Sequence, residues 1–119
     1  MYEIKIQSDF SAAHNLRNYR GKCENLHGHN WKVEAVFTYK KLDKDGMAVD
    51  FKKVKALLKE VLEKLDHAYL NETDIFKKLN PTSENIAKFI YEEMKKKDKN
   101  IASVAVWENE NSCATYKEG

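Results

Sequence analysis

The hydropathy pattern predicts an α+β protein: an antiparallel four-stranded sheet with two helices on one face, in the order ββααββ. Residues 2–14 and 31–39 alternate apolar and polar with period two, and alternation returns over residues 101–117. Between them, residues 50–65 and 82–94 place apolar side chains three or four apart, the helical period. Strands grouped at both ends of a helical middle favour an antiparallel sheet packed on one side, leaving its other face open unless subunits associate. At 119 residues the chain is expected to form one domain over residues 1–119, with a core of its own but small for an enzyme that must also enclose a substrate.

In the first strand Tyr2, Ile4, Ile6, Phe10 and Ala12 alternate with Glu3, Lys5, Gln7, Asp9 and Ser11, and the run ends near His14. Asn15 to Leu26 lacks a period and holds Asn, Arg, Gly and Lys, which reads as a long loop. The second strand sets Trp31, Val33, Ala35, Phe37 and Tyr39 on one side, with Val36 breaking the alternation, and Asp43-Lys44-Asp45-Gly46 then forms a turn. Phe51, Val54, Leu58, Val61 and Leu65 make the buried stripe of a first helix capped by Asp50. Thr82 can cap a second helix, in which Ile86, Phe89, Ile90 and Met94 face inward and the polar run after Met94 ends it. Two strands close the chain, Ile101 to Glu108 and Ser112 to Lys117.

Composition excludes several classes of function. The formal charge of +2 is small and dispersed, with no basic patch interleaved by aromatics, so nucleic acid is not expected as a partner. No apolar run approaches the length of a membrane span, and Met1 to Lys5 does not open a signal segment, so a cytoplasmic protein with no membrane partner is expected. The two cysteines are far apart, which disfavours a disulfide scaffold and leaves thiol chemistry, metal ligation or burial as their uses.

The chain's chemistry centres on Cys23-Glu24-Asn25-Leu26-His27-Gly28-His29 together with His14. In an extended segment His27 and His29 point to the same side. If the first two strands pair antiparallel, the end of one lies beside the start of the other and His14 comes next to both. Parity puts all three imidazoles on the apolar side. Three neutral imidazoles without a fourth protein ligand are the set of a catalytic zinc site, whose vacant position admits a small molecule. Cys23 is a fourth ligand closing a structural site, a free thiol activated by the ion and by Lys22 and Arg20, or an inert loop cysteine, and the length of the domain favours the second over the first. Asp66-His67, at the end of the first helix, is either a proton-carrying pair or a helix-capping pair on the surface. Glu108 ends the apolar side of the strand holding Val104 and Val106, where an unpaired carboxylate is costly. A ligand with two adjacent N–H groups would satisfy it; otherwise it is a rim residue beside a turn.

These residues resemble the 6-pyruvoyl-tetrahydropterin synthase and 6-carboxytetrahydropterin synthase family. The likeness rests on Phe10-Ser-Ala-Ala-His14 and Cys-x-x-x-His-Gly-His at Cys23 to His29. It continues through Val49-Asp50-Phe51, Leu65-Asp66-His67 with Leu70-Asn71, Pro81-Thr82-Ser83-Glu84 and Val106-Trp107-Glu108, in the family's order and spacing, and so covers nearly the whole chain. The short length and the cysteine motif are closest to the bacterial carboxytetrahydropterin branch, which feeds 7-deazaguanine (queuosine) biosynthesis. The resemblance implies zinc held by His14, His27 and His29, a catalytic thiol at Cys23 working with Asp66 and His67 as a proton relay, and a pterin anchored by Glu108. It implies the T-fold (tunnelling fold), in which sheets of several subunits join into a barrel, commonly a hexamer built as a dimer of trimers with sites at subunit interfaces. The implied reaction converts 7,8-dihydroneopterin triphosphate to 6-carboxy-5,6,7,8-tetrahydropterin with release of triphosphate and acetaldehyde. Relatives form the 6-pyruvoyl product, or a 6-hydroxymethyl pterin with a glutamate of this loop, here Glu24, in the catalytic role. Asn109 stands where members often carry Thr. Arg17, Arg20, Lys22 and lysines of a neighbouring subunit are candidates to meet the triphosphate. The reading from another class is a non-catalytic binding module stabilised by zinc, with Cys23 as a ligand.

Overall fold

Two long strands, β1 (Tyr2–His14) and β2 (His27–Tyr39), run antiparallel along their whole length and form the middle of the sheet. The computed structural model describes residues 1–20 and 24–119. The register pairs Ile6 with Ala35 and Phe10 with Trp31, so the apolar residues of both strands fall on one face. His14 pairs directly with His27, and Ala12 with His29, as the antiparallel reading of the sequence requires. Phe10 and Trp31 stack with ring centroids 5.8 Å apart, and the buried Trp31 indole donates to the Ala12 carbonyl at 3.2 Å.

Helix α1 (Phe51–Leu62) packs over β1, and α2 (Ser83–Lys97) over the strands that close the chain. The Asp50 carboxylate accepts from the Lys52 N–H, and the Thr82 hydroxyl accepts from that of Asn85, so both caps fall on the residues the sequence nominates. Val54, Leu58, Val61, Ile86, Ile90 and Met94 are fully buried between the helices and the sheet. α1 ends at Leu62, yet Leu65 stays buried in the turns that follow. α2 runs one turn past Met94, because Lys95, Lys96 and Lys97 suit the negative end of its dipole.

The sheet has five strands where the sequence suggests four, and the order is ββαβαββ. Besides β4 (Ile101–Asn109) and β5 (Ser112–Tyr116), a two-residue strand β3 (Ala68–Tyr69) pairs parallel with Ala12 and Ala13 of β1, ahead of a 3-10 turn at Leu70–Glu72. The spatial order is β3-β1-β2-β4-β5, antiparallel except at β3. Two residues carry no periodicity. What creates β3 is a tertiary contact: His67 takes φ +57°, and its N–H reaches the Ser11 carbonyl at 2.5 Å.

The face away from the helices is polar. Gln7 donates to Glu34 at 3.1 Å, the Ser11 hydroxyl donates to Asn30 at 3.3 Å, and the Lys32 ammonium sits 4.9 Å from the Trp107 ring centroid. Val36, Ala105 and Trp107 are apolar residues that share this face with them. The sheet edges are the unsatisfied feature: among the described residues, neither β5 nor β1 ahead of Ala12 has a strand partner on its outer side. Among the described residues, no helix is long and apolar enough to cross a membrane.

Candidate metal centre

Pairing of β1 with β2 brings His14, His27 and His29 together at one end of the sheet, and β4 adds Glu108. Their ligand atoms all lie within 4.8 Å of one another. The floor is Trp31, whose ring meets those of His14 and His29 edge-on at centroid distances of 4.7 and 5.3 Å. A rigid, buried indole thus fixes where two of the imidazoles stand.

The outer nitrogens of two rings settle their tautomers. His14 Nδ1 is 2.8 Å from the Pro81 carbonyl, and His27 Nδ1 is 2.8 Å from the Asn25 carbonyl. A carbonyl only accepts, so both Nδ1 atoms carry the proton and, in the neutral rings, both Nε2 atoms present lone pairs. Those two Nε2 atoms are 3.0 Å apart. Facing lone pairs at that distance repel unless a proton or a cation lies between them. His29 Nε2 is buried without a hydrogen-bond partner: Glu108 Oε1 is 2.8 Å away but off the N–H direction. Glu108 Oε1 is also 3.2 Å from His14 Nε2 and 3.5 Å from His27 Nε2.

These spacings fit a metal ion. A tetrahedral ion with ligands at about 2.0–2.1 Å separates them by roughly 3.3 Å. Carbonyls on the outer nitrogens are the usual means of orienting ligating imidazoles. Two proton affinities move in opposite directions. The Asn25 carbonyl holds the His27 pKa above its ordinary value, with Glu108 and Glu24 adding to the effect against desolvation. Burial lowers that of His29, with Glu108 opposing.

Cys23 lies outside the described residues. Next to it, Glu24 is pinned to the end of β1, donating its N–H to the Leu16 carbonyl at 2.9 Å and accepting from the Leu16 N–H at 3.3 Å. Its carboxylate stands 3.6 Å from His27 Nδ1, on the outer side of that ring. Asp66 and His67 do not join the cluster. They sit beyond β1 at the sheet edge, where the Ser11 N–H donates to Asp66 at 2.9 Å and His67 Nδ1 is 3.1 Å from the same carboxylate. The Ser11 N–H holds the Asp66 pKa below the usual carboxylate range, with His67 contributing. The His67 side chain is 83% exposed and, with His29, Ser11 and Tyr69, borders an open depression of about 550 Å³.

Several working residues carry no signal that periodicity could detect. Asn71 accepts from the Asn15 N–H at 3.0 Å and donates to the Asn15 carbonyl at 2.8 Å, and the Tyr69 hydroxyl donates to the Asn15 side chain. Arg17 is committed internally: its guanidinium donates to the carbonyls of Leu79, Asn71 and Phe76 at 3.1, 2.9 and 2.6 Å. The Arg17 backbone N–H and carbonyl both bond to the Asn80 side chain. This lashing fixes Asn80-Pro81, and with it the carbonyl that orients His14. Asn109 accepts from the Asn111 N–H at 2.8 Å, which gives it a place in the β4–β5 turn.

The model of the 6-pyruvoyl tetrahydropterin synthase family matches residues 3–119. The chain belongs to that family. A protein of Archaeoglobus fulgidus provisionally named a 6-carboxy-5,6,7,8-tetrahydropterin synthase is 41% identical over 114 residues, covering 96% of this chain and 94% of its own. The 6-carboxy-5,6,7,8-tetrahydropterin synthase of Haemophilus influenzae is 33% identical over 141 residues, covering 99% of this chain and all of its own. Among solved structures, the Caenorhabditis elegans 6-pyruvoyl tetrahydropterin synthase superposes with a TM-score of 0.88 at 28% identity, covering 99% of this chain and 96% of its own. The likeness extends across the whole fold, including the strands that carry the cluster.

Proposed function

We propose that this chain is a zinc-dependent lyase that converts 7,8-dihydroneopterin triphosphate to 6-carboxy-5,6,7,8-tetrahydropterin, releasing triphosphate and acetaldehyde, in the 7-deazaguanine (queuosine) pathway. The observation that carries this reading is the convergence of the Nε2 atoms of His14, His27 and His29 on one point, two of them fixed as lone-pair donors, in a chain whose relatives bear the carboxytetrahydropterin synthase name. His14, His27 and His29 would hold the ion, which supplies Lewis acidity toward the substrate's side-chain oxygens. Glu108 accepts the pterin's exocyclic amine and ring N–H, the pair of adjacent donors a lone carboxylate binds best. Cys23 removes and returns protons on the side chain, and Asp66 orients His67 as the partner in that relay.

The outward position of His67 supports a relay that serves the site of a neighbouring subunit, and the free edges of β1 and β5 support sheets joined into a hexameric barrel, a dimer of trimers. A second reading, the 6-pyruvoyl product, is favoured by the likeness to the nematode enzyme. Incubation of the zinc-loaded protein with 7,8-dihydroneopterin triphosphate and identification of the pterin by mass decides between them. Cys23→Ala is expected to keep zinc and fold while abolishing turnover; release of zinc by that change would instead favour the binding module with a sulfur ligand. Mixed oligomers of Cys23→Ala and His67→Ala chains are expected to regain activity that neither variant shows alone.

A further inference from the structure

Glu108 occupies a position that anchoring a substrate does not require. Its Oε1 lies 2.8–3.5 Å from the Nε2 atoms of all three imidazoles, the spacing of a fourth ligand rather than of a group waiting at the rim. The backbone is irregular at this point. Trp107 pairs with Cys113 and Asn109 with Ser112, so β4 advances two residues where β5 advances one, and Glu108 is the extra residue of a bulge. Bulges re-aim side chains and are over-represented next to active sites. Charge agrees: a dication among neutral imidazoles, over a Trp31 floor with no exposed surface, gains from an adjacent carboxylate. Glu108, one-third exposed near the end of the strand that holds the fully buried Val104 and Val106, is attracted in turn by a cation held among the imidazoles.

We propose that Glu108 is a displaceable fourth ligand, holding the metal closed in the resting enzyme and leaving it when a pterin ring offers two N–H donors to the carboxylate. Recognition of the ring then opens the coordination position for the substrate's own hydroxyl, so the ion becomes reactive only with the correct heterocycle in place. The exchange breaks one metal–carboxylate bond and forms one metal–oxygen bond, with no change of oxidation state. The proposal rests on the reading of the cluster as the metal centre for a pterin substrate.

Cobalt(II) as the bound ion and 7,8-dihydroneopterin, which has no triphosphate to lose, as the probe separate the cases. The wild-type cobalt spectrum is expected to differ from that of Glu108→Ala before any pterin is added, and to shift when dihydroneopterin binds. Metal affinity by chelator competition is expected to fall at least 10-fold in Glu108→Ala. Glu108→Gln, which keeps side-chain shape and guards against a folding artefact, is expected to lose affinity in the same direction. Identical resting spectra and metal affinities in wild type and both variants would overturn the switch, leaving Glu108 an anchor only and the proposed reaction intact. Failure of the wild type to take up metal at all would overturn the metal-centre reading itself.

Discussion

Replacing Arg17 with Ala tests whether the site is held together by the loop lashing seen beside it. The guanidinium donates to three carbonyls, two of them half-buried contacts at 2.9 and 2.6 Å and one exposed at 3.1 Å. Hydrogen bonds from a charged donor contribute about 1.5–3 kcal/mol each when shielded, and the exposed one much less. The sum, about 3 kcal/mol, corresponds to a fall in Tm of roughly 10 °C for a chain of this size. Arg17→Lys is expected to recover little, because a single ammonium cannot span three carbonyls. Loosening Asn80-Pro81 also frees the carbonyl that orients His14, so metal affinity should drop by about 10- to 100-fold, the usual cost of losing an outer-shell partner. Urea unfolding at fixed protomer concentration and chelator competition measure the two effects. A stability change below about 0.5 kcal/mol with unaltered metal affinity would mean that these carbonyl bonds do not hold the site. A raised KM for the triphosphate substrate with unaltered stability would show that the guanidinium meets phosphate instead.

Leu58→Ala, at a fully buried position between α1 and the sheet, should cost about 3–4 kcal/mol in urea unfolding and leave metal stoichiometry unchanged. Gly46 holds φ +82° with open space around it, so Gly46→Ala should cost roughly 1–2 kcal/mol from the backbone alone, read as a fall in Tm. The Lys64 and Lys96 ammonium groups hold the Glu93 pKa below the usual carboxylate range. A carboxylate depressed in the folded state stabilises fully above its unfolded pKa and loses that contribution as the pH falls through the folded one. Acid unfolding of Glu93→Gln should accordingly show a shallower decline in stability across that acidic window than wild type.

Much of the frame was legible in the sequence because it obeys a period. The parity of Ile6, Phe10 and His14 against Trp31, Val33 and His29 fixes both the buried face and the meeting of the imidazoles, and Asp50 and Thr82 announce the helix starts. The fifth strand was not legible. Ala68 and Tyr69 become a strand only because His67 adopts a left-handed conformation and bonds to Ser11, a contact between residues far apart in the chain. The orienting carbonyls of Pro81 and Asn25 are backbone groups, to which residue type gives no clue. Arg17 was legible only as one of several candidates to meet the triphosphate; its bonds to the carbonyls of Asn71, Phe76 and Leu79 depend on a segment far along the chain that folds against it. Glu108 had the correct parity, and the sequence placed it on the apolar side; the bulge against β5 at that position is not revealed by alternation.

The proposed chemistry requires the convergent imidazole nitrogens to hold an ion. Elemental analysis of the purified protein after dialysis against a competing chelator, for wild type and for His14→Ala, His27→Ala and His29→Ala in turn, measures this directly. One zinc per chain in wild type, and little or none in each of the variants, is the predicted result. Full zinc content in any one of the variants, each still folded, would contradict it.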